Sequence, residues 1–164
     1  MIILRAQIEE VHEIKKLLSE TWIHTYGDIY SADTIKNVTT EWHNPELLVK
    51  QILDPDIYFS IAKEQNQIIR LITIRQMDED TLNMYRLYIH PEYQRKGIGS
   101  KLIIEALNVF KEHKKLRVGV EEQNKRAISF YLSKGFKDIG RKIEKVGTDK
   151  IYVIEMEKLI YAKD

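Results

Sequence analysis

The sequence predicts an α/β (α+β) fold in which one mixed, mostly antiparallel sheet carries helices on both faces, within a single domain covering residues 1–164. Three observations predict it. Three strand-like segments, Ile57–Lys63, Gln67–Gln76 and Thr81–Ile89, follow one another across short connections, which makes an antiparallel meander. The last of them leads through a helical pattern to the apolar run Leu116–Val120, and a strand–helix–strand step favours a parallel pair with a right-handed crossover. The chain then closes with two strand patterns, Phe136–Val146 and Lys150–Leu159, around Gly147-Thr148-Asp149, which form a hairpin.

The elements follow in order. Ile2–Arg5 reads as a short opening strand. Ile8, Val11, Ile14, Leu18 and Trp22 recur at steps of three and four, the stripe of an amphipathic helix, and Gly27 ends that region. Ser31 caps a short helix through Asn37. Asn44 caps another that starts on Pro45 and runs to about Leu53, before the turn Asp54-Pro55-Asp56. Glu64-Gln65-Asn66 and Met77–Asp80 are the two turns of the meander. Pro91 cannot donate to a ladder and stops the strand that ends at Ile89. Leu102, Ile103, Ala106, Leu107 and Phe110 predict a helix over Ser100–His113. Asn124 caps a helix ending near Lys134, with Gly135 as a left-handed C-terminal cap.

Composition narrows the function classes. Hydrophobic residues make up 43% and charged residues 31%, the balance of an ordinary globular protein. Twenty-six basic residues against 25 acidic ones leave a net charge of +1, which argues against DNA or RNA as a partner. There is no cysteine, so disulfides, thiolate catalysis and cysteine zinc sites are excluded. The five histidines show no ligand spacing, so no metal is expected. No apolar run reaches the ~18 residues of a membrane span, the N-terminal apolar stretch is too short for a signal peptide, and a cytoplasmic location is expected.

The stretch between Met84 and Leu102 carries the chemistry. A strand runs into Gln94-Arg95-Lys96-Gly97-Ile98-Gly99, a basic, glycine-broken turn, and a helix opens behind it at Ser100. Backbone N–H groups converge in such a turn and a helix start adds about half a positive charge, so the unit suits a phosphate. A dinucleotide fingerprint needs a third glycine where Leu102 stands, and a P-loop needs Gly-Lys-Ser/Thr where this chain has Gly-Ser-Lys. The order that remains, Gln-x-x-Gly-x-Gly after a strand and His-Pro-Glu-Tyr, resembles the coenzyme A loop of the GCN5-related N-acetyltransferases (GNAT). Asn124-x-x-Ala127, Phe130-Tyr131 and Lys134-Gly135-Phe136 resemble the same family, in its order and separation.

The resemblance implies the GNAT fold, with the strand ending at Ile89 and its parallel neighbour splayed apart, and acetyl-CoA as acyl donor in the gap. The donor's pantetheine arm would pair with the backbone of Leu87, Tyr88 and Ile89 as an added strand. Its pyrophosphate would sit on Gln94, Arg95, Lys96, Gly97, Ile98, Gly99 and Ser100. Asn124 would bond the arm, while Lys134 or Arg126 would reach the nucleotide. Tyr131 is the expected catalytic residue, hydrogen-bonding the leaving thiolate. Thiols ionise near about 8.5 and phenols near about 10, so full proton transfer is mildly uphill. The amine would attack directly in a ternary complex, with a backbone N–H near Ile89 holding the oxyanion.

Some members of the family use a glutamate on the strand before the loop; that position here is Asn83, which accepts no proton, and the sequence leaves the base open between a water chain and a carboxylate from the N-terminal third such as Glu20 or Glu41. Trp22, Tyr26, Tyr30 and Glu41 would form the substrate wall, since aromatic faces with carboxylates suit an ammonium group. Their Thr-Trp…Thr-Tyr…Ile-Tyr-Ser pattern resembles the bacterial and archaeal subgroup acting on spermidine and spermine. Other amines, protein amino groups and a non-catalytic coenzyme A sensor are the alternatives, and the resemblance leaves room for a homodimer. One departure stands out: Arg70 occupies a position where the family commonly has glycine.

Overall fold

The computed structural model describes residues 2–160. Its strands are β1 (Ile2–Arg5), β2 (Ile57–Glu64), β3 (Gln67–Gln76), β4 (Thr81–Ile89), β5 (Lys115–Glu121), β6 (Lys137–Val146) and β7 (Asp149–Leu159). They form one sheet in the order β1-β2-β3-β4-β5-β7-β6, antiparallel throughout except for the parallel pair β4/β5. The helices are α1 (Val11–Tyr26), α2 (Ala32–Glu41), α3 (Pro45–Leu53), α4 (Ile98–Leu107) and α5 (Lys125–Ser133).

The local chemistry places most of these ends where the sequence predicts them. The Ser31 side chain accepts from the Thr34 N–H, and Asn44 accepts from the Glu46 and Leu47 N–H groups with Pro45 behind it. Gln65 and Asn66 both take positive φ, which gives the β2/β3 hairpin its two-residue turn. Gly135 holds φ +84° after α5. Three expectations are corrected. Ile8 lies in a 3₁₀ turn, Ile8–Glu10, and is exposed, so the stripe of α1 starts at Val11. Helix α2 runs on to Glu41 instead of ending at Asn37.

The third correction concerns α4, which begins at Ile98 and ends at Leu107 instead of spanning Ser100–His113. Gly97, at φ +72°, supplies the left-handed entry, so the helix opens two residues early and takes Gly99 and Ser100 into its first turn. Beyond Leu107 single turns carry the chain, and Phe110 stays buried at 7% exposure with its ring edge-on to Tyr58. Apolar spacing at Phe110 therefore reports burial without helix.

Two layers of helix cover the sheet. Leu102, Ile103 and Ala106 of α4 and Tyr131 of α5 pack on Ile72, Met84, Val118 and Val120 on one face. Val11, Ile14 and Leu18 of α1 and Leu48 and Ile52 of α3 pack on Phe59, Ile61 and Leu71 on the other. A third cluster joins Trp22, Tyr26, Ile35 and Val38 to Val146, Ile151 and Val153, which ties α1 and α2 to the terminal hairpin.

Arg70 lies within β3 at 1% exposure, with its guanidinium 3.8 Å from the Glu105 carboxylate of α4. Among the described residues its Nε and Nη1 atoms have no hydrogen-bond partner, and Glu105 is the carboxylate beside it.

Candidate active site at the split of the sheet

The parallel pairing of β4 and β5 covers only Thr81–Met84 against Lys115–Val118. At Tyr85 the register of β4 against β3 slips by one residue, from Met84 opposite Ile74 to Arg86 opposite Thr73. A bulge of this kind bends and twists its strand. Beyond it β4 and β5 run unpaired, which leaves the β5-facing edge of β4 open past Met84.

The gap opens into a cleft of about 490 Å³ on the α4/α5 side and into a cavity of about 250 Å³ beneath α1 and Trp42 on the opposite side. Tyr26, Tyr85, Tyr88, Gly119 and Glu121 line both. The two spaces therefore meet through the sheet, between strands that have parted.

The cleft wall contains Leu87, Tyr88, Ile89, Gln94, Arg95, Gly97, Ile98, Gly99, Ser100, Asn124, Tyr131 and Lys134. Lys96 is not on that wall; its ammonium lies 5.2 Å from the centre of the Tyr93 ring. No side chain caps the start of α4, so its first amides, which a helix cannot satisfy internally, point into the cleft beside Arg95. The Gln94 side chain donates to the Ile89 carbonyl at 2.9 Å and ties the loop to the strand end. Gly99 has Phe130 and Ile89 close to where a Cβ would stand, at 3.2 and 3.5 Å, so helix and cleft floor are tightly packed there.

Asn124 acts first within the protein. Its Oδ1 accepts from the Ala127 N–H at 3.0 Å as the cap of α5, and its Nδ2 donates to the Tyr26 hydroxyl at 3.0 Å. The second Nδ2 hydrogen is the one left for a ligand. Tyr131 is 6% exposed, with its ring held edge-on between Phe130 and Phe136, each 5.2 Å away. Burial, then the neighbouring Tyr88 phenol, pushes its pKa up, so this hydroxyl keeps its proton and serves as a donor.

On the opposite side Trp22, Tyr26, Trp42, Tyr85 and Tyr88 form the aromatic walls. Trp22 donates from Nε1 to the Tyr88 hydroxyl at 2.9 Å and is almost fully buried, so it shapes the cavity and also belongs to the core. Tyr30 bears on the site through its hydroxyl, which donates to Glu121 at 2.8 Å. Glu41 and Glu20 do not reach the cavity: Glu41 is exposed beside the Gly147 turn, and Glu20 is exposed on α1 near Lys16. Asn83 does line it.

Glu121 escapes the sequence reading. The predicted strand stops at Val120, one residue short of it. In the structure Glu121 is the last residue of β5 and only 6% exposed. The usable signal lies in the alternation of β5. Leu116, Val118 and Val120 face the α4/α5 side, so Gly119 and Glu121 must face the other one.

His43 is a second residue found only in the fold. It is 1% exposed in the cavity wall, and burial, then Arg86 and Lys15, lowers its pKa from 6.5 to about 3. Above pH 6.5 folded and unfolded chains both hold this imidazole neutral. Below that, and down to about 3, the unfolded chain takes a proton that the folded one excludes, so stability falls. The slope is about 1.4 kcal/mol per pH unit. Denaturant unfolding of the wild type should therefore show about 2 kcal/mol less stability at pH 5 than at pH 6.5 from this group, a loss that His43→Gln removes.

Among the described residues no three His, Cys, Asp or Glu side chains converge as a metal site, and no helix is long and apolar enough to cross a membrane. Residues 27–160 match the family model described as an acetyltransferase (GNAT) domain. The chain is 32% identical to a spermidine N(1)-acetyltransferase of Thermoplasma acidophilum over 82% of its own length and 87% of that protein. It is 39% identical to a peptidyl-lysine N-acetyltransferase of Escherichia coli over 68% of its length and 71% of the relative. The crystal structure of the PaiA N-acetyltransferase from Thermoplasma acidophilum in complex with coenzyme A superposes with a TM-score of 0.84 at 29% identity, covering 97% of this chain and 98% of that one. With a split parallel pair, an uncapped helix start on the cleft and a family match over most of its length, this chain belongs to the GNAT acetyltransferases, which use acetyl-CoA.

Proposed function

We propose that the chain moves the acetyl group of acetyl-CoA to a primary amine by direct attack, and that its first-choice amine is a polyamine of the spermidine or spermine type. One observation carries this reading: two spaces of different character meet through the gap between β4 and β5. The larger is lined by helix-start amides and basic side chains and suits a phosphorylated donor. The smaller is lined by aromatic rings, by Glu121 and Glu144 and by Arg86 and Lys142; Lys142 is paired with Glu144 and Arg86 is bonded to Gln51 and the Trp42 carbonyl, which leaves Glu121 and the ring faces for an alkylammonium. The spermidine N(1)-acetyltransferase relative supports the polyamine.

Each residue's role follows from its place. The amides from Gly97 to Ser100 and the Arg95 side chain take the pyrophosphate, and the open edge of β4 from Leu87 to Ile89 takes the pantetheine arm. Lys134 and Arg126 line the far part of the cleft and face the nucleotide. Tyr131 donates to the sulfur as it becomes a thiolate. Trp22 and Tyr26 hold the acceptor side, Tyr30 reaches it only through its bond to Glu121, and Glu41 lies too far out to share it.

Gly97 tests the phosphate part of the reading. It sits at φ +72°, where a β-branched residue costs about 1–2 kcal/mol. Gly97→Val should therefore weaken acetyl-CoA binding by roughly 5–30-fold in a calorimetric titration. Normal affinity would mean that the loop does not hold the donor.

A second reading rests on the peptidyl-lysine relative, whose substrate presents the same alkylammonium on a protein. A thiol-release assay with spermidine, spermine, small monoamines and a lysyl peptide separates the two. Fastest release with the polyamines is expected. Preference for the peptide would move the substrate class, and tight acetyl-CoA binding with no release for any amine would make the chain a sensor.

A further inference from the structure

We propose that Glu121 is the residue that takes the proton from the attacking ammonium, a role that rests on the acetyl-transfer reading above. The amine must lose a proton before its lone pair can attack, and Asn83, in the wall of the acceptor cavity, cannot accept one. An acceptor has to sit where the acceptor cavity meets the donor cleft. Of the residues lining both spaces, Glu121 is the one carboxylate.

Its geometry suits the task. One carboxylate oxygen accepts from the Tyr30 hydroxyl at 2.8 Å and the other from the Gln123 N–H at 2.9 Å. These two bonds fix its orientation and leave each oxygen a lone pair for the substrate. Gly119, two residues earlier on the same side of β5, has no side chain to stand between that carboxylate and the gap.

The other groups in the acceptor cavity are poorer bases. His43 is the only imidazole among its walls, and burial keeps it from holding a proton until about pH 3. Glu144 already accepts from the Lys142 ammonium at 2.8 Å. The phenols Tyr26 and Tyr88 keep their protons, because burial pushes both pKa values up.

The step balances as follows. Glu121 takes one proton from the ammonium and later passes it to water. The freed lone pair forms the N–C bond to the acetyl carbonyl carbon, and the C–S bond breaks with its electron pair going to sulfur. The second proton shed by nitrogen on becoming an amide goes to the thiolate by way of the Tyr131 hydroxyl. The products are one amide, one thiol and one proton.

The test is the pH profile of kcat/KM for spermidine, read beside the acetyl-CoA Kd. The groups that face Glu121 and could shape the profile are Tyr26 and Tyr30 from the α1 side, Tyr85 and Tyr88 from β4, and Lys142 from β6. Glu122 beside it, Arg126 of α5, Arg86 of β4, Glu144 of β6 and His43 after α2 belong to the same surroundings. Glu121→Gln should lose about 10²-fold or more at pH 7 and recover as pH approaches the amine's own ionisation near about 10, with acetyl-CoA Kd within about two-fold of wild type. A purely structural role would depress the rate equally at every pH. Should Glu121→Gln fail to fold, Tyr30→Phe keeps the carboxylate but removes one of the two hydrogen bonds that orient it. kcat/KM for spermidine at pH 7 should then fall by about 10-fold while acetyl-CoA Kd stays within about two-fold. An unchanged profile in Glu121→Gln, or an unchanged kcat/KM in Tyr30→Phe, overturns the assignment while the wild type still turns over. No turnover by the wild type with any amine overturns the acetyl-transfer reading and the role of Glu121 with it.

Discussion

Tyr131→Phe is expected to lower kcat by about 10²-fold, the low end of what a positioned proton donor contributes, while acetyl-CoA Kd stays within about two-fold. The phenylalanine keeps the ring between Phe130 and Phe136 and removes only the hydroxyl, so packing is held constant. The modest size has a physical reason. A thiolate is already a tolerable leaving group near neutral pH, with its conjugate acid near about 8.5, so the hydroxyl need only stabilise charge that would form anyway. Burial raises the Tyr131 pKa further, which makes it a better keeper of its proton and leaves donation of a hydrogen bond as its contribution. The rate should accordingly show no alkaline loss from Tyr131 below the ordinary phenol range. A kcat for Tyr131→Phe within two-fold of wild type would take the residue out of the mechanism.

The Arg70–Glu105 pair carries the largest expected effect on stability. Glu105→Met removes the one carboxylate, among the described residues, near a guanidinium that is 1% exposed and has two nitrogen atoms without partners there. Breaking such a pair from one side costs about 3–5 kcal/mol, and the lower figure applies because Glu105 keeps 32% of its side chain in solvent. Arg70→Met with Glu105→Met takes both charges away and should return the protein to within about 1 kcal/mol of wild type or above it, since two apolar side chains replace an expensively buried pair. Denaturant unfolding of the two singles and the double closes the cycle. If Glu105→Met alone is neutral, the guanidinium is being satisfied by water and the pair does not brace α4 against β3.

Much of this molecule is legible in one dimension, and the reason differs from element to element. The bounds of β3 and β4 follow from a near-continuous apolar run in β3, from alternation at the end of β4, and from the turn residues at Asn66 and Pro91. The start of α3 is dictated by Asn44 and Pro45, whose cap and missing N–H suit only a helix start. Helix α4 is the instructive miss. Its apolar spacing reaches Phe110 because the core reaches there, and period alone does not distinguish a buried turn from a buried helix.

The acceptor side was only half legible. Trp22 and Tyr26 could be picked out because aromatic residues crowd one helix, yet Glu41 came from the same logic and lies outside, since α2 turns that carboxylate toward the Gly147 loop. For Glu121 the one local mark is the alternation of β5, which gives its face and not its burial, and His43 carries none. Both are buried, and the walls they share, Trp22 and Tyr26 of α1 and Lys142 and Glu144 of β6, come from distant parts of the chain.

Taken alone, the sequence determined the strand and helix order, the family resemblance and the glycine-broken loop before a helix, because these depend on residues close together in the chain. Tertiary structure alone decided that a bulge at Tyr85 parts β4 from β5, that two spaces meet there, and that a strand-end glutamate stands between them. The physical reason is range. Turn chemistry and periodicity act over a few residues, whereas desolvating a carboxylate takes side chains as far apart in sequence as Tyr30 and Glu121.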